Sequence, residues 1–333
     1  MINQNNFSNS LHEQIRKNRL KTVYLFTSFP ILILALTYIS ILITTAYSGD
    51  SNPLNTASYM MSTVGFWVLI GVIVWSIISY FLGSKMILGF AGAKPIKKQD
   101  HKELYNTIEN ISIAAGMAKA PEIYIINDQS LNAFATGTNP NNSKVAISIG
   151  LLEKLSKAEL EAVMAHEIGH VINRDIRVML ISIAIVGAIE MIGEILLRSS
   201  LIRSSSNKNN NGFITIIGFL FITIGTIVAS LARLAISRER EYLADATSAY
   251  LTSNPNALAS ALQKIAGDAR IEILDKRSSM ASLCIADPSS KGDKMNKNAL
   301  NNNSKKENKT SIWQKIWSTH PPIQDRINKL NNY

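Results

Sequence analysis

The sequence predicts an integral membrane protein, mainly α-helical with a small β-sheet, in which about four transmembrane helices carry a soluble domain in two parts. Three observations lead there. Apolar residues are gathered into long uncharged runs. Charged residues make up only 17% of the 333, against about 25% in an ordinary soluble protein. The mean hydropathy is +0.10, above zero.

Residues 1–21 are polar and end in Arg16, Lys17, Arg19 and Lys21, and form a cytoplasmic N-terminal segment. No charge follows from Thr22 to Gly49, nor from Ser51 to Ser84. Both runs exceed the roughly 20 residues that cross a bilayer, so 22–92 reads as two transmembrane helices with a short outer loop. The first is too long for a signal peptide core and lacks a small-residue cleavage site. The second spans best from about Val64 to Gly83. The loop holds Asp50 and no base, whereas Lys85, Lys94, Lys97 and Lys98 follow the second run. The basic flanks therefore face the cytoplasm.

Residues 93–177 read as the first part of a soluble domain. Asp100 to Met117 has helical periodicity, and Glu122 to Ile126 and Lys144 to Ile149 read as strands. Ser156 and Glu159 have capping-box spacing, which starts a helix near Lys157. Residues 178–232 hold two further apolar runs, Val178 to Leu197 and Phe213 to Leu231, forming a hairpin of the third and fourth spans. Glu190 and Glu194 interrupt the third; at mid-bilayer each would cost about 2.5–3.5 kcal/mol, so they are expected against a neighbouring helix or the interface. Residues 233–333 form the second soluble part, helical through Ala266 and including a disordered Asn/Lys-rich tract at 288–311.

The net charge of +10 lies beside apolar runs and in that tract, without interleaved aromatics. It suits anionic lipid and excludes nucleic acid. Cys284 is the only cysteine, so an internal disulfide framework is excluded.

His166-Glu167-Ile168-Gly169-His170 lies on the helix that the capping box starts. Histidines four apart share one helix face and can hold one cation, while Glu167 can reach water at that cation without ligating it. Random order of the same composition would give about 0.003 such matches. The plain alternative is a helix with two surface histidines. A third ligand is required, since a catalytic zinc keeps three protein ligands and one open position. Asp175, five beyond His170, falls off the ligand face. Glu241 and Asp245, four apart, can put one carboxylate on the metal and the other on a histidine N–H; the alternative there is an exposed helix with Glu239 and Arg240 paired.

These residues, with Asn132 to Gly137, Asn173-Arg174-Asp175, Ser237 to Asp245 and Thr319-His320-Pro321-Pro322, resemble the HtpX family of membrane-bound, heat-shock-associated zinc metalloproteases, related to the CAAX prenyl endopeptidases. The tract from about Ser289 to Ser311 departs from that pattern. The resemblance implies a zincin-like (gluzincin) cytoplasmic domain and one Zn2+ per chain, held by His166, His170 and Glu241. It implies Glu167 as general base and Asp245 behind His166, and it points to Asn132 and His320 as substrate or oxyanion contacts. It further implies a multi-pass protein of the bacterial inner membrane, cutting unfolded or membrane proteins in quality control, with self-cleavage a hazard. The strand at 144–149, just before the helix, is the expected partner of an extended substrate backbone.

Two rival readings fit less well. Lys154, Lys157, Glu159 and Glu161 before the motif, and Arg174, Asp175 and Arg177 after it, belong in water or at the interface, against catalysis inside the bilayer. A scaffold with structural zinc needs a fourth ligand, commonly cysteine, and none is evident.

Overall fold

The computed structural model describes residues 4–203, 215–225, 227, 238–266 and 321–333. They form α1 (Gln4–Tyr47), α2 (Pro53–Phe90), β1 (Ala93–Pro95), α3 (Lys102–Ala114), β2 (Glu122–Ile126), β3 (Ala133–Gly137), β4 (Ser143–Ser148), α4 (Ile149–Lys154), α5 (Lys157–Ile172) and α6 (Asp175–Arg203). There follow a short apolar helix α7 (Thr215–Gly225), then α8 (Arg238–Thr252), α9 (Pro255–Ile265) and α10 (Ile323–Leu330). The chain divides into two compact units, Met1–Leu20, Leu82–Leu180 and Arg233–Tyr333 in one, Lys21–Phe81 and Ile181–Ala232 in the other.

The first unit is built on a mixed sheet in the order β1-β2-β4-β3. β2 and β4 run parallel, with Ile123 opposite Val145, and β3 pairs antiparallel to β4 with Ala133 opposite Ile147. β4 is thus an inner strand with partners on both sides, which overturns its expected role as a substrate edge: its backbone groups are already spent in the ladder. The outer strand beside it is β3. Its last residue is Gly137, at φ +151°, where a Cβ would lie 2.4 Å from the Asn142 carbonyl oxygen, so only glycine fits.

Helix α5 starts where the capping box requires. The Ser156 N–H donates to Glu159 Oε2 at 2.7 Å, and the Glu159 N–H donates to Ser156 Oγ at 3.4 Å. Glu159 also receives Ser260 Oγ and Lys264 Nζ from α9, each at 2.6 Å. From Leu160 to Val171 nearly every residue is buried, so α5 is the central helix of its unit. Its core partners include Ile123, Ile147, Leu258, Leu262, Ile327 and Leu330. Gly169 lets α8 come close, since a Cβ there would stand 3.3 Å from Ala244 Cα, and Ser248 Oγ donates to the Ala162 carbonyl at 2.6 Å.

The second unit has the opposite pattern. Phe29, Ile33, Val72, Ile185, Ile189 and Phe221 pack inward, while Tyr24, Ile31, Trp67 and Phe81 lie exposed. Apolar residues on both faces of a helix mark one surrounded by lipid. Thr37, Ser40 and Thr44 turn their hydroxyls back onto carbonyls four residues earlier, at 2.7–2.8 Å, which satisfies them without water. Among the described residues three helices are long and apolar enough to cross a membrane: Ile15–Tyr47, Pro53–Phe90 and Asp175–Arg198. The fourth expected run lies partly outside the described residues. Glu194 is paired with Arg198 one turn on, at 3.4 Å.

Candidate metal centre

Helix α5 carries His166 and His170 one turn apart, with ring centroids 4.8 Å apart and planes at 89°. Helix α8 adds Glu241. Its Oε2 lies 3.8 Å from His166 Nε2 and its Oε1 3.5 Å from His170 Nε2. All three residues are buried, and their candidate ligand atoms lie within 4.8 Å of one another. Two ligands about 2.0–2.1 Å from one tetrahedral ion stand about 3.3 Å apart, close to the spacing here.

The other ring nitrogens face carboxylates. His166 Nδ1 lies 2.9 Å from Asp245 Oδ1, one turn beyond Glu241 on α8. His170 Nδ1 lies 2.9 Å from Asp175 Oδ2. A carboxylate accepts a hydrogen bond from Nδ1–H and leaves Nε2 as the lone-pair donor, directed at Glu241 and the shared centre. The donor set of two imidazoles and one carboxylate therefore fits a divalent ion of the zinc type.

Asp175 reaches His170 because α5 does not run on. It ends at Ile172, Arg174 takes a left-handed conformation at φ +60°, and α6 starts at Asp175. The helical count that sets Asp175 off the ligand face holds for the metal side and misses the back of the ring. A second residue unforeseen in sequence is Arg326 on α10. It is fully buried, and its Nε and Nη2 donate to Asp245 Oδ2 and Oδ1 at 2.9 and 2.6 Å. Nη1 stands 3.7 Å from Glu241 Oε2. A signal for it exists: Ile323, Arg326, Ile327 and Leu330 are the buried positions of α10, at the spacing of a core-facing stripe. An arginine in such a stripe needs a buried anion.

These surroundings set the proton affinities of the metal-free site. Burial pushes the His166 ring down to about 4, the Arg326 charge adding to the effect and Asp245 opposing it. For His170 burial acts the same way, but the Glu241 charge and the Asp175 hydrogen bond outweigh it and raise the ring to about 9. Burial lifts the Glu167 carboxyl to about 7, opposed by His170 and reinforced by Glu241. Neither Glu167 oxygen has a hydrogen-bond partner of good geometry among the described residues. A buried carboxyl with proton affinity near neutrality and open lone pairs is suited to taking and returning a proton.

Asn132 precedes β3. Its carbonyl oxygen accepts from the Ser148 N–H at 3.0 Å and its Oδ1 from the Ala133 N–H at 3.0 Å. His320 lies outside the described residues, as do Cys284 and the 288–311 tract.

Residues 98–333 match peptidase family M48. The chain belongs to that family. Among curated relatives, a protease HtpX homolog of Bacteroides fragilis is 40% identical over 333 residues, covering 97% of this chain and 98% of its own. A protease HtpX homolog of Tropheryma whipplei is 41% identical over 256 residues, 77% of this chain and 81% of its own. Ste24p of S. mikatae, a solved structure, aligns with a TM-score of 0.43 at 20% identity, over 93% of this chain and 67% of that one. The protein is accordingly a membrane-associated metalloprotease, and the His166, His170, Glu241 cluster is its candidate metal site.

Proposed function

We propose that this M48 metalloprotease is a zinc-dependent endopeptidase of the bacterial inner membrane, acting at the cytoplasmic face on unfolded or membrane proteins. One observation carries the reading: three buried donors converge, each imidazole backed by a carboxylate, beside a buried glutamate with open oxygens. His166, His170 and Glu241 hold the metal. When bound, the ion supplies Lewis acidity toward the scissile carbonyl and makes water acidic enough to deprotonate near neutral pH.

Glu167 takes a proton from that attacking water and later delivers it to the leaving amine. Asp245 and Asp175 keep the two rings in the Nδ1–H tautomer. An extended substrate pairs along β3, the outer strand beside β4; main-chain pairing of this kind favours unfolded segments over particular sequences. The basic flanks of the first two apolar helices support a cytoplasmic site. Self-cleavage follows when a flexible segment of the same chain reaches the site.

The decisive variant is Glu167→Gln. It retains zinc and loses cleavage of a casein-type substrate by several orders of magnitude; cutting at the wild-type rate with zinc bound would refute the mechanism.

A further inference from the structure

The N-terminal arm enters the same network. Asn18, on α1 ahead of the first apolar stretch, is buried, with Nδ2 donating to the Asn173 carbonyl at 2.9 Å and to Asp175 Oδ1 at 2.7 Å. These partners lie 155 and 157 residues away in sequence. Both are acceptors, so the amide nitrogen must face them and both its N–H groups are engaged. Asn173 ends α5 and Asp175 begins α6, with the left-handed Arg174 between them. One side chain therefore staples the two sides of this turn.

The consequence falls on His170. Of the Asp175 carboxylate, Oδ1 is held by Asn18, with Arg240 Nη1 at 3.5 Å, while Oδ2 faces His170 Nδ1. A carboxylate fixed at one oxygen presents the other in one direction, and that direction sets the plane of the imidazole. We propose that Asn18 is a positioning residue for the metal site, acting through Asp175 on His170, so that the basic arm before the first apolar stretch is a working part of the catalytic domain. The inference rests on the zinc-ligand reading above. It gives the arm a role beyond orienting the chain in the membrane, since Lys17 and Arg19 on either side of Asn18 supply charge whereas Asn18 supplies two hydrogen bonds.

The test is zinc affinity of the detergent-solubilised full chain, by competition with a chromophoric chelator. All forms carry Glu167→Gln, which prevents self-cleavage. Asn18→Leu, similar in size and without donors, weakens zinc binding by about 3–10-fold, below the roughly 10–100-fold typical of a direct partner of a ligand. Asn18→Ser, with one donor, falls between it and the parent. In an Asp175→Ala background Asn18→Leu has no further effect, because the group it acts through is gone. Zinc affinity unchanged in Asn18→Leu overturns the proposal. So does a loss of equal size with and without Asp175, which marks a merely structural role. Should Asn18→Leu lose its cooperative thermal transition, Asn18→Ser is judged by the same two criteria. A parent that binds no zinc overturns the ligand reading itself and this proposal with it.

Discussion

His166 and His170 occupy the same face of one helix, one turn apart, yet the two halves of the site are built differently. Behind His166 stands Asp245, gripped at both oxygens by the Arg326 guanidinium. Behind His170 stands Asp175, held by the neutral amide of Asn18 with Arg240 farther off. Burial lowers proton affinity in both rings, but Arg326 deepens the effect on one, while Glu241 and Asp175 reverse it on the other. The rings end near 4 and 9. Sharing a helix makes two residues neighbours; the charges brought by other segments decide their chemistry.

The strongest way to break this comparison is to remove what the halves share. Glu241→Ala deletes the donor facing both Nε2 atoms, and zinc affinity is expected to fall by more than the roughly 100-fold that marks the loss of an orienting group. Metal content after dialysis and casein cleavage should both drop to background. Retained stoichiometric zinc would exclude Glu241 as a ligand.

Changing one half at a time sharpens the contrast. Asp245→Ala and Asp175→Ala should each weaken zinc binding about 10–100-fold. Asp245→Ala, however, also breaks two direct hydrogen bonds to the fully buried Arg326, and breaking such a pair costs about 3–5 kcal/mol, whereas the equally buried Arg240 stands 3.5 Å from Asp175 and makes no hydrogen bond to it. Thermal unfolding should therefore fall much further for Asp245→Ala, and Asp245→Ala with Arg326→Met should recover part of the loss. Equal destabilisation by the two aspartate variants would remove the distinction drawn here.

The pH dependence separates the halves by sign. With its ring raised to about 9, His170 holds a proton in the metal-free protein at neutral pH, whereas His166, at about 4, does not. Zinc must displace the His170 proton, so its affinity should rise by about tenfold per pH unit below 9 and level above. Asp175→Asn removes a cause of the raised value and should move the plateau to lower pH. Chelator competition at a series of pH values, with and without that substitution, measures both.

The smallest effect should touch both halves alike. Glu159 anchors the start of α5; burial alone would raise its pKa, but hydrogen bonds from Lys264, Ser260 and the Ser156 backbone bring it down to about 2, from an ordinary 4.5. Since the folded value is depressed, this stabilisation is present above about pH 4.5 and is lost as pH falls toward 2. Glu159→Gln should lower stability by about 1 kcal/mol near neutrality, the usual size of a lost cap, and by less at pH 3. Denaturant midpoints at the two pH values test the sign.

Much of this was legible before any fold was known. The capping box at Ser156 and Glu159 marks the start of α5, and β2 spans the predicted 122–126. Carboxylates one turn apart on a second helix allow one of them to back a histidine; that Asp245 backs His166 was implied only by the family resemblance. β3 was not legible, since no strand is read at 133–137 from the sequence; its place at the sheet edge beside β4 depends on β2 taking the other side of β4. The helix expected through Ala266 is broken at Ser253, which has φ +52°, with Asn254 capping α9.

The sequence by itself determined the apolar helices, the helix bearing the motif and its two histidines, because periodicity, caps and i,i+4 spacing act within one turn of chain; Glu241 as third donor came from the family resemblance. Only the tertiary structure decided the rest of what stands behind the two histidines. Asn18, Asp175 and Arg326 reach them through a left-handed turn and through segments more than 150 residues apart, and no local spacing encodes such a meeting.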